Sequence, residues 1–190
     1  VFMKLSGSYQ INLEKQKVWE ALNNPEILKK SIPGCEEFVK KSETEFTATA
    51  TNKIGPFNAT FTGDIELKDL DPPNSYKIIG SGNSPVGFAN GEASVTLEDF
   101  EDGTNLKYSV EANVGGKIAQ VGSRLIDMTA KKMADIFFGK FVELISTKTT
   151  TEKIKKVNED KIQIPKKPIN IIYVVLPALI IIGIILYYLN

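Results

Sequence analysis

The chain of 190 residues contains no histidine. That absence removes the commonest metal ligand, the usual general base and every Ser-His or Cys-His dyad at once. Any acid–base chemistry would have to rest on carboxylate, tyrosine or lysine, and the expected protein is not an enzyme. Cys35 is the single cysteine, so no internal disulfide can form, and the chain suits a reducing compartment. There is no net charge either, with 23 Lys+Arg against 23 Asp+Glu, and nothing argues for nucleic acid. The glycines of GSGNSPVG and VGG are followed by no Lys-Ser/Thr pair at P-loop spacing. No metal site is expected. A secretory leader is not expected, because Lys4, Glu14, Lys15 and Lys17 interrupt any apolar run at the start.

What is present fits one folded domain with an appendage. Hydrophobic residues make up 42% and charged residues 24%, enough for a true core. The charges are unevenly placed: residues 1–145 carry a net −4, and residues 146–168 a net +4. The basic segment precedes Ile169–Leu189, INIIYVVLPALIIIGIILYYL, 21 residues without a charge. As a helix this run spans about 30 Å, the hydrocarbon thickness of a bilayer. Tyr173, Tyr187 and Tyr188 stand near its ends, where interfacial aromatics belong, and Pro177 predicts a kink. The expectation is a single-pass tail anchor in the cell membrane (169–189), a basic linker (146–168) and a cytoplasmic domain (1–145), the lysines before the span setting its orientation.

Within the domain, a strand near Lys4–Leu13 precedes two short helices broken at Asn24-Pro25. Strands then follow at about Glu36–Ser42, Glu45–Lys53, Phe57–Leu70, Ser75–Gly82, Gly87–Phe100 and Asn105–Val114. Short turn signals (NKIGP, DPPNS, GNSP, EDGT) make the neighbours hairpins and the sheet antiparallel. Gly115–Ile145 reads as one long helix, with Ile118, Val121, Leu125, Met128, Met133, Ile136, Phe137, Phe141 and Leu144 near helical spacing. A strand, two short helices, six strands and a long helix make a helix-grip, a curved sheet wrapped around its last helix.

The stretch GFANGEASV puts Ala89, Gly91, Ala93 and Val95 on one face of its strand, where larger side chains normally fill a core. Ala48, Ala50, Ala59, Gly63 and Ala112 repeat the pattern on other strands. Two explanations stand: the helix approaches closely, or a cavity is left open. Of the polar residues, Tyr108 could orient a guest. Arg124 and Asp127 are spaced for a helix-surface ion pair, Asp64 and Glu66 point outward, and Cys35 lies in a loop with no activating partner.

The segments NNPEILKKSIPGCEE, IGPFNATFTGDIEL, DLDPPNSYKI, GFANGEASVTL and VGGKIAQVGSRLIDMTAKKMADIFF, in this order over about residues 3–145, resemble the family of the carbon monoxide dehydrogenase G-subunit. The resemblance implies a START-like fold (α+β, a seven-stranded antiparallel sheet gripping a long helix) with an apolar cavity between them. The cavity is then expected among Ala48, Ala50, Phe57, Ala59, Phe61, Ala89, Gly91, Ala93, Val95, Tyr108 and Val110 of the sheet and Val121, Leu125, Met128 and Phe137 of the helix. It further implies a molybdenum-flavin dehydrogenase as partner and the membrane as workplace. Together these suggest a carrier that holds a respiratory quinone or isoprenoid lipid and binds no cofactor covalently. The alternatives are a ligand-free recruitment adaptor and, on a fold that also hosts them, a cyclase or hydrolase.

Overall fold

A computed structural model describes the backbone of residues 1–161 and the side chains of residues 1–147. The anchor expected at Ile169–Leu189 lies outside the described residues. Among those described, no helix is long and apolar enough to cross a membrane. Val1–Glu152 form one compact unit; of the second, Lys153–Asn190, the helical residues up to Lys161 are described.

The chain runs β1 (Phe2–Ile11), α1 (Lys15–Leu22), α2 (Pro25–Ser31), β2 (Cys35–Lys40), β3 (Glu45–Ile54), β4 (Phe57–Asp71), β5 (Ser75–Ser84), β6 (Gly87–Phe100) and β7 (Gly103–Gly115). A 3₁₀ turn (Lys117–Val121) then leads to α3 (Ser123–Lys161). The seven strands form one sheet in the order β1-β7-β6-β5-β4-β3-β2, every pair antiparallel. The expected helix-grip architecture is therefore present. Two-residue connections explain the hairpins. Ile54 pairs with Phe57 across Gly55-Pro56, and Ser84 with Gly87 across Pro85-Val86. Gly55 has φ +58, the left-handed region where a side chain is costly.

The break between α1 and α2 has a clear local cause. Asn24 caps α2, its Oδ1 accepting from the Glu26 and Ile27 amides at 3.0 and 3.2 Å. Pro25 then occupies the first turn, where its missing N–H costs nothing. Glu26 at the start and Lys29 and Lys30 at the end complement the helix dipole.

Two clusters of buried side chains hold the layers together. One gathers Val18, Trp19, Leu22 and Ile27 from α1 and α2, Leu97 and Leu106 from the sheet, and Phe138, Phe141 and Ile145 from α3. The other joins Met3, Val114, Ile118 and Ile126. α3 enters both, and between Ile126 and Phe138 its inward residues include Ala130 and Ala134, which fill little space.

The long helix departs from its expected form at both ends. It does not begin at Gly115: β7 runs to that residue, and the 3₁₀ turn is bracketed by Gly116 (φ +82) and Gly122 (φ +86). A 3₁₀ turn advances 3.0 residues per turn instead of 3.6, and each left-handed glycine redirects the chain. Spacing counted from Ile118 and Val121 thus loses phase with α3. At its other end α3 continues through Lys161, so residues 146–161, read as linker, are helical. That stretch has no proline or glycine to stop a helix before Pro165.

Candidate functional site

The inward face of the sheet is built by strict alternation. Tyr76, Ile78, Gly80 and Gly82 of β5 stand opposite Val95, Ala93, Gly91 and Ala89 of β6, which in turn face Tyr108, Val110, Ala112 and Val114 of β7. A band of glycine and alanine therefore crosses the middle of the sheet: Gly63, Gly80, Gly82, Ala89, Gly91 and Ala112. On α3 the residues opposite are again small or pliable, namely Ala130, Met133 and Ala134. Small against small leaves space.

Beside the band, where Ala93 of the sheet meets Ala130 and Ala134 of α3, lies an apolar hollow of about 480 Å³ between the sheet, α2 and α3. Its walls include Leu5, Ile78, Ala93, Val95, Val110, Met133 and Phe137, and no charged residue lines it. A second hollow of about 270 Å³ shares Met3, Asn52, Ala130 and Met133 with the first and adds Ala50, Phe61, Ala89 and Ile126. The larger volume suits a small apolar molecule. A larger concavity, about 900 Å³, lies where Asp64, Glu66, Glu92 and Glu111 line the sheet's outer face. It is open and charged, so it lacks the enclosure that would hold an apolar guest.

The glycines of the band have two different reasons. A Cβ on Gly63 would strike the Ser81 carbonyl, and one on Gly91 the Glu111 carbonyl and the Ala112 backbone. Both are needed where the backbone of the neighbouring strand leaves no room for a side chain. A Cβ on Gly80 would meet nothing within 4 Å, so this residue faces open space. The question posed by GFANGEASV thus divides: Ala93 borders the hollow, whereas Gly91 is small because of the adjacent strand.

Of the residues expected in the cavity, Ala93, Val95, Tyr108, Val110 and Phe137 line the larger hollow, and Ala50, Phe61 and Ala89 the smaller. Gly91 borders a shallower recess with Gly80 and Ala112. The others need correction. Met128 is 59% exposed, on the solvent side of α3, because the phase break before Ser123 turns it away. Val121 and Leu125 instead pack where a Gly55 side chain would lie, supporting the β3–β4 hairpin. Phe57 packs against the smaller core cluster. Ala59 is buried opposite Asn52, and Ala48 sits between Phe38 and Gly63; neither lines either of the two apolar hollows. Tyr76, Ile78 and Gly80 are additions that the sequence reading does not single out, although alternation through SYKIIGSG carries the signal for them. Ala130 and Ala134 are also additions, spaced i, i+4 on α3.

One wall of the larger hollow is aromatic. Phe138 stacks on Tyr9 (4.3 Å between centroids) and Tyr108 (5.2 Å), and Phe137 meets it edge-on at 5.0 Å. Tyr9 donates to Asp135 at 2.7 Å, and Lys131 donates to the other carboxylate oxygen at 3.2 Å. The Tyr9 hydroxyl and then Lys131 hold the Asp135 carboxyl below its ordinary range. Desolvation by burial raises the hydroxyls of Tyr9, Tyr76 and Tyr108 above the usual phenol value, with Asp135 adding to the effect at Tyr9 and Tyr108. For such groups the folded state favours the neutral form. Their contribution to stability is complete below the unfolded tyrosine pKa of about 10 and is lost as pH rises through the folded values. In an alkaline absorbance titration Tyr9 and Tyr76 should therefore ionise together with unfolding, above about pH 10. Tyr76→Phe should shrink that late step by one tyrosine; two unchanged steps would contradict this placement.

The remaining polar candidates are quiet. Arg124 and Asp127 are both exposed, and no ion pair forms between them among the described residues. Asp64 and Glu66 project outward to Lys41 and Lys68. The Cys35 thiol donates to the Glu37 carbonyl at 3.3 Å, and burial raises its pKa, the opposite of activation. Among the described residues no cluster of three metal-binding side chains occurs.

Residues 7–146 match the sequence model of the family described as the carbon monoxide dehydrogenase G-subunit (CoxG). The chain belongs to the CoxG family. A conserved protein from Geobacillus kaustophilus has a similar structure, with 32% identity, a TM-score of 0.73 and coverage of 76% of this chain and 96% of that one. More distant structures of similar fold include a Streptomyces aromatase/cyclase, Zhui, at 11% identity and TM-score 0.59, over 78% of this chain and 96% of the other. A Thermus thermophilus protein matches at 12% identity and TM-score 0.59, over 76% and 98%. At such identities the likeness concerns the fold alone. Among curated proteins, none matches.

Proposed function

We propose that this CoxG-family protein is a non-enzymatic carrier. It holds a neutral apolar ligand, a respiratory quinone or isoprenoid lipid, between sheet and α3, and recruits a molybdenum-flavin dehydrogenase to the membrane. The observation that carries the reading is the hollow of about 480 Å³ with no charged lining. The family description adds the dehydrogenase. The uncharged segment Ile169–Leu189 supplies the membrane tether from the cytoplasmic side. A soluble dehydrogenase cannot reach a quinone dissolved in the bilayer, and a tethered carrier bridges that gap. Redox chemistry then belongs to the cofactors of the partner, and this chain supplies binding and position.

The affinity should be modest. Burying about 400 Å² of apolar ligand surface contributes about 10 kcal/mol. Subtracting at least about 4 kcal/mol for lost freedom leaves at most about 6 kcal/mol, a Kd of tens of micromolar or weaker. A carrier must release its cargo, and this range permits it. Trp19, the single tryptophan, sits edge-on to Tyr76 at 5.3 Å between centroids, so a quinone in the hollow should quench its fluorescence. Native mass spectrometry of gently extracted protein should also find a co-purifying lipid. Neither quenching nor lipid would leave the recruitment adaptor as the better account, tested by a pull-down of the dehydrogenase with delipidated protein.

A further inference from the structure

We infer that Tyr76 is the specificity-determining contact of the hollow: its hydroxyl donates a hydrogen bond to a neutral acceptor oxygen on an otherwise apolar guest. The inference rests on the ligand-binding reading above and narrows it to carbonyl-bearing molecules.

Tyr76 is 5% exposed and lines the larger hollow. Among the described residues its hydroxyl makes no hydrogen bond, yet none of their fully occluded polar side-chain atoms lacks a partner. The two statements agree only if the hydroxyl borders open space, and the space at Tyr76 is the hollow. Other buried hydroxyls behave differently. Ser31 donates to the Ile27 carbonyl at 2.8 Å, and Thr104 to the Leu13 carbonyl at 2.7 Å. Two polar side chains bordering the hollows are also engaged: the Asn52 amide donates to the Pro33 carbonyl at 3.0 Å, and Thr129 to the Leu125 carbonyl at 2.8 Å; Tyr108, on the same larger hollow, is only half-buried. A buried donor left unused beside such engaged groups is a site waiting for an acceptor.

The surroundings define that acceptor. Burial keeps the Tyr76 phenol protonated far above neutral pH, so it remains a donor. No Lys or Arg lines the hollow, so a carboxylate head would be buried without a counter-charge. A plain hydrocarbon would leave the hydroxyl unpaired. A neutral ketone or quinone carbonyl meets both conditions, with Val95, Ala93 and Ile78 receiving its apolar body.

The test uses full-length delipidated protein and displacement of N-phenyl-1-naphthylamine by decylubiquinone, decylbenzene and dodecanoate at pH 8. Tyr76→Phe should weaken decylubiquinone about 5–10-fold and leave decylbenzene within about twofold, with dodecanoate the weakest competitor for both proteins. Unchanged decylubiquinone affinity in Y76F, or an equal loss for decylbenzene, overturns the hydrogen bond while leaving the carrier reading intact. Failure of wild-type protein to bind any of the three overturns both. The infrared carbonyl band of decylubiquinone bound to wild type provides a check independent of the variant. It should shift to lower wavenumber than in hexane, and an unshifted band refutes the inference.

Discussion

Gly63→Ala should destabilise the domain by about 3–5 kcal/mol, lowering Tm by about 10 °C or more, whereas Gly80→Ala should leave it folded and slightly more stable. Both glycines lie on the inward face of the sheet, on neighbouring strands in the same small-residue band. They differ in what a methyl group would meet. At Gly63 it collides with the Ser81 carbonyl and the Gly82 backbone, part of the β4–β5 ladder that cannot yield without breaking its pairing. At Gly80 it enters open space, and the unfolded chain loses conformational freedom, a gain of about 0.4–1 kcal/mol. Thermal denaturation of the two variants beside wild type decides the matter. Equal losses would mean that the band serves one purpose, close packing, and that Gly80 does not face open space.

Ala93→Phe should abolish ligand capture without unfolding the protein. Ala93 lies between Ile78 and Val110 in one cross-strand row, and all three line the larger hollow. A phenyl ring there fills space a guest would use, at little cost because that space already exists. Decylubiquinone affinity should fall by about 30-fold or more, about 2 kcal/mol, with Tm unchanged or raised. Val39→Phe, at a 44%-exposed position on the edge strand β2, is the matched control and should bind as wild type does. If Ala93→Phe folds and still quenches Trp19 with quinone as wild type does, the ligand sits elsewhere and the carrier reading fails. Dehydrogenase docking that survives in the same variant would show that recruitment and cargo use separate surfaces.

Much of this architecture is legible in the amino-acid order because its causes are local. Alternation along β3, β4, β6 and β7 assigns their inward residues, and Asn24-Pro25 and Gly55-Pro56 mark a helix break and a hairpin through their own backbone preferences. The absence of histidine and the uncharged run at Ile169–Leu189 are likewise properties of the sequence itself. Side chains on α3 are harder to place, because one 3₁₀ turn between two left-handed glycines shifts the helical phase and carries Met128 to solvent. No periodicity measured across that break could recover it.

The sequence by itself determined that small residues crowd one face of the sheet. Only the tertiary structure decided why each is small. Gly63 and Gly91 answer to the backbone of the next strand, while Gly80 and Ala93 border unfilled volume. The same holds for tyrosine: Tyr108 stands out on its strand, yet Tyr76 is the more deeply buried of the two tyrosines that line the larger hollow. Whether a neighbour is present depends on residues far apart in the chain meeting in space, and no short stretch of sequence carries that information.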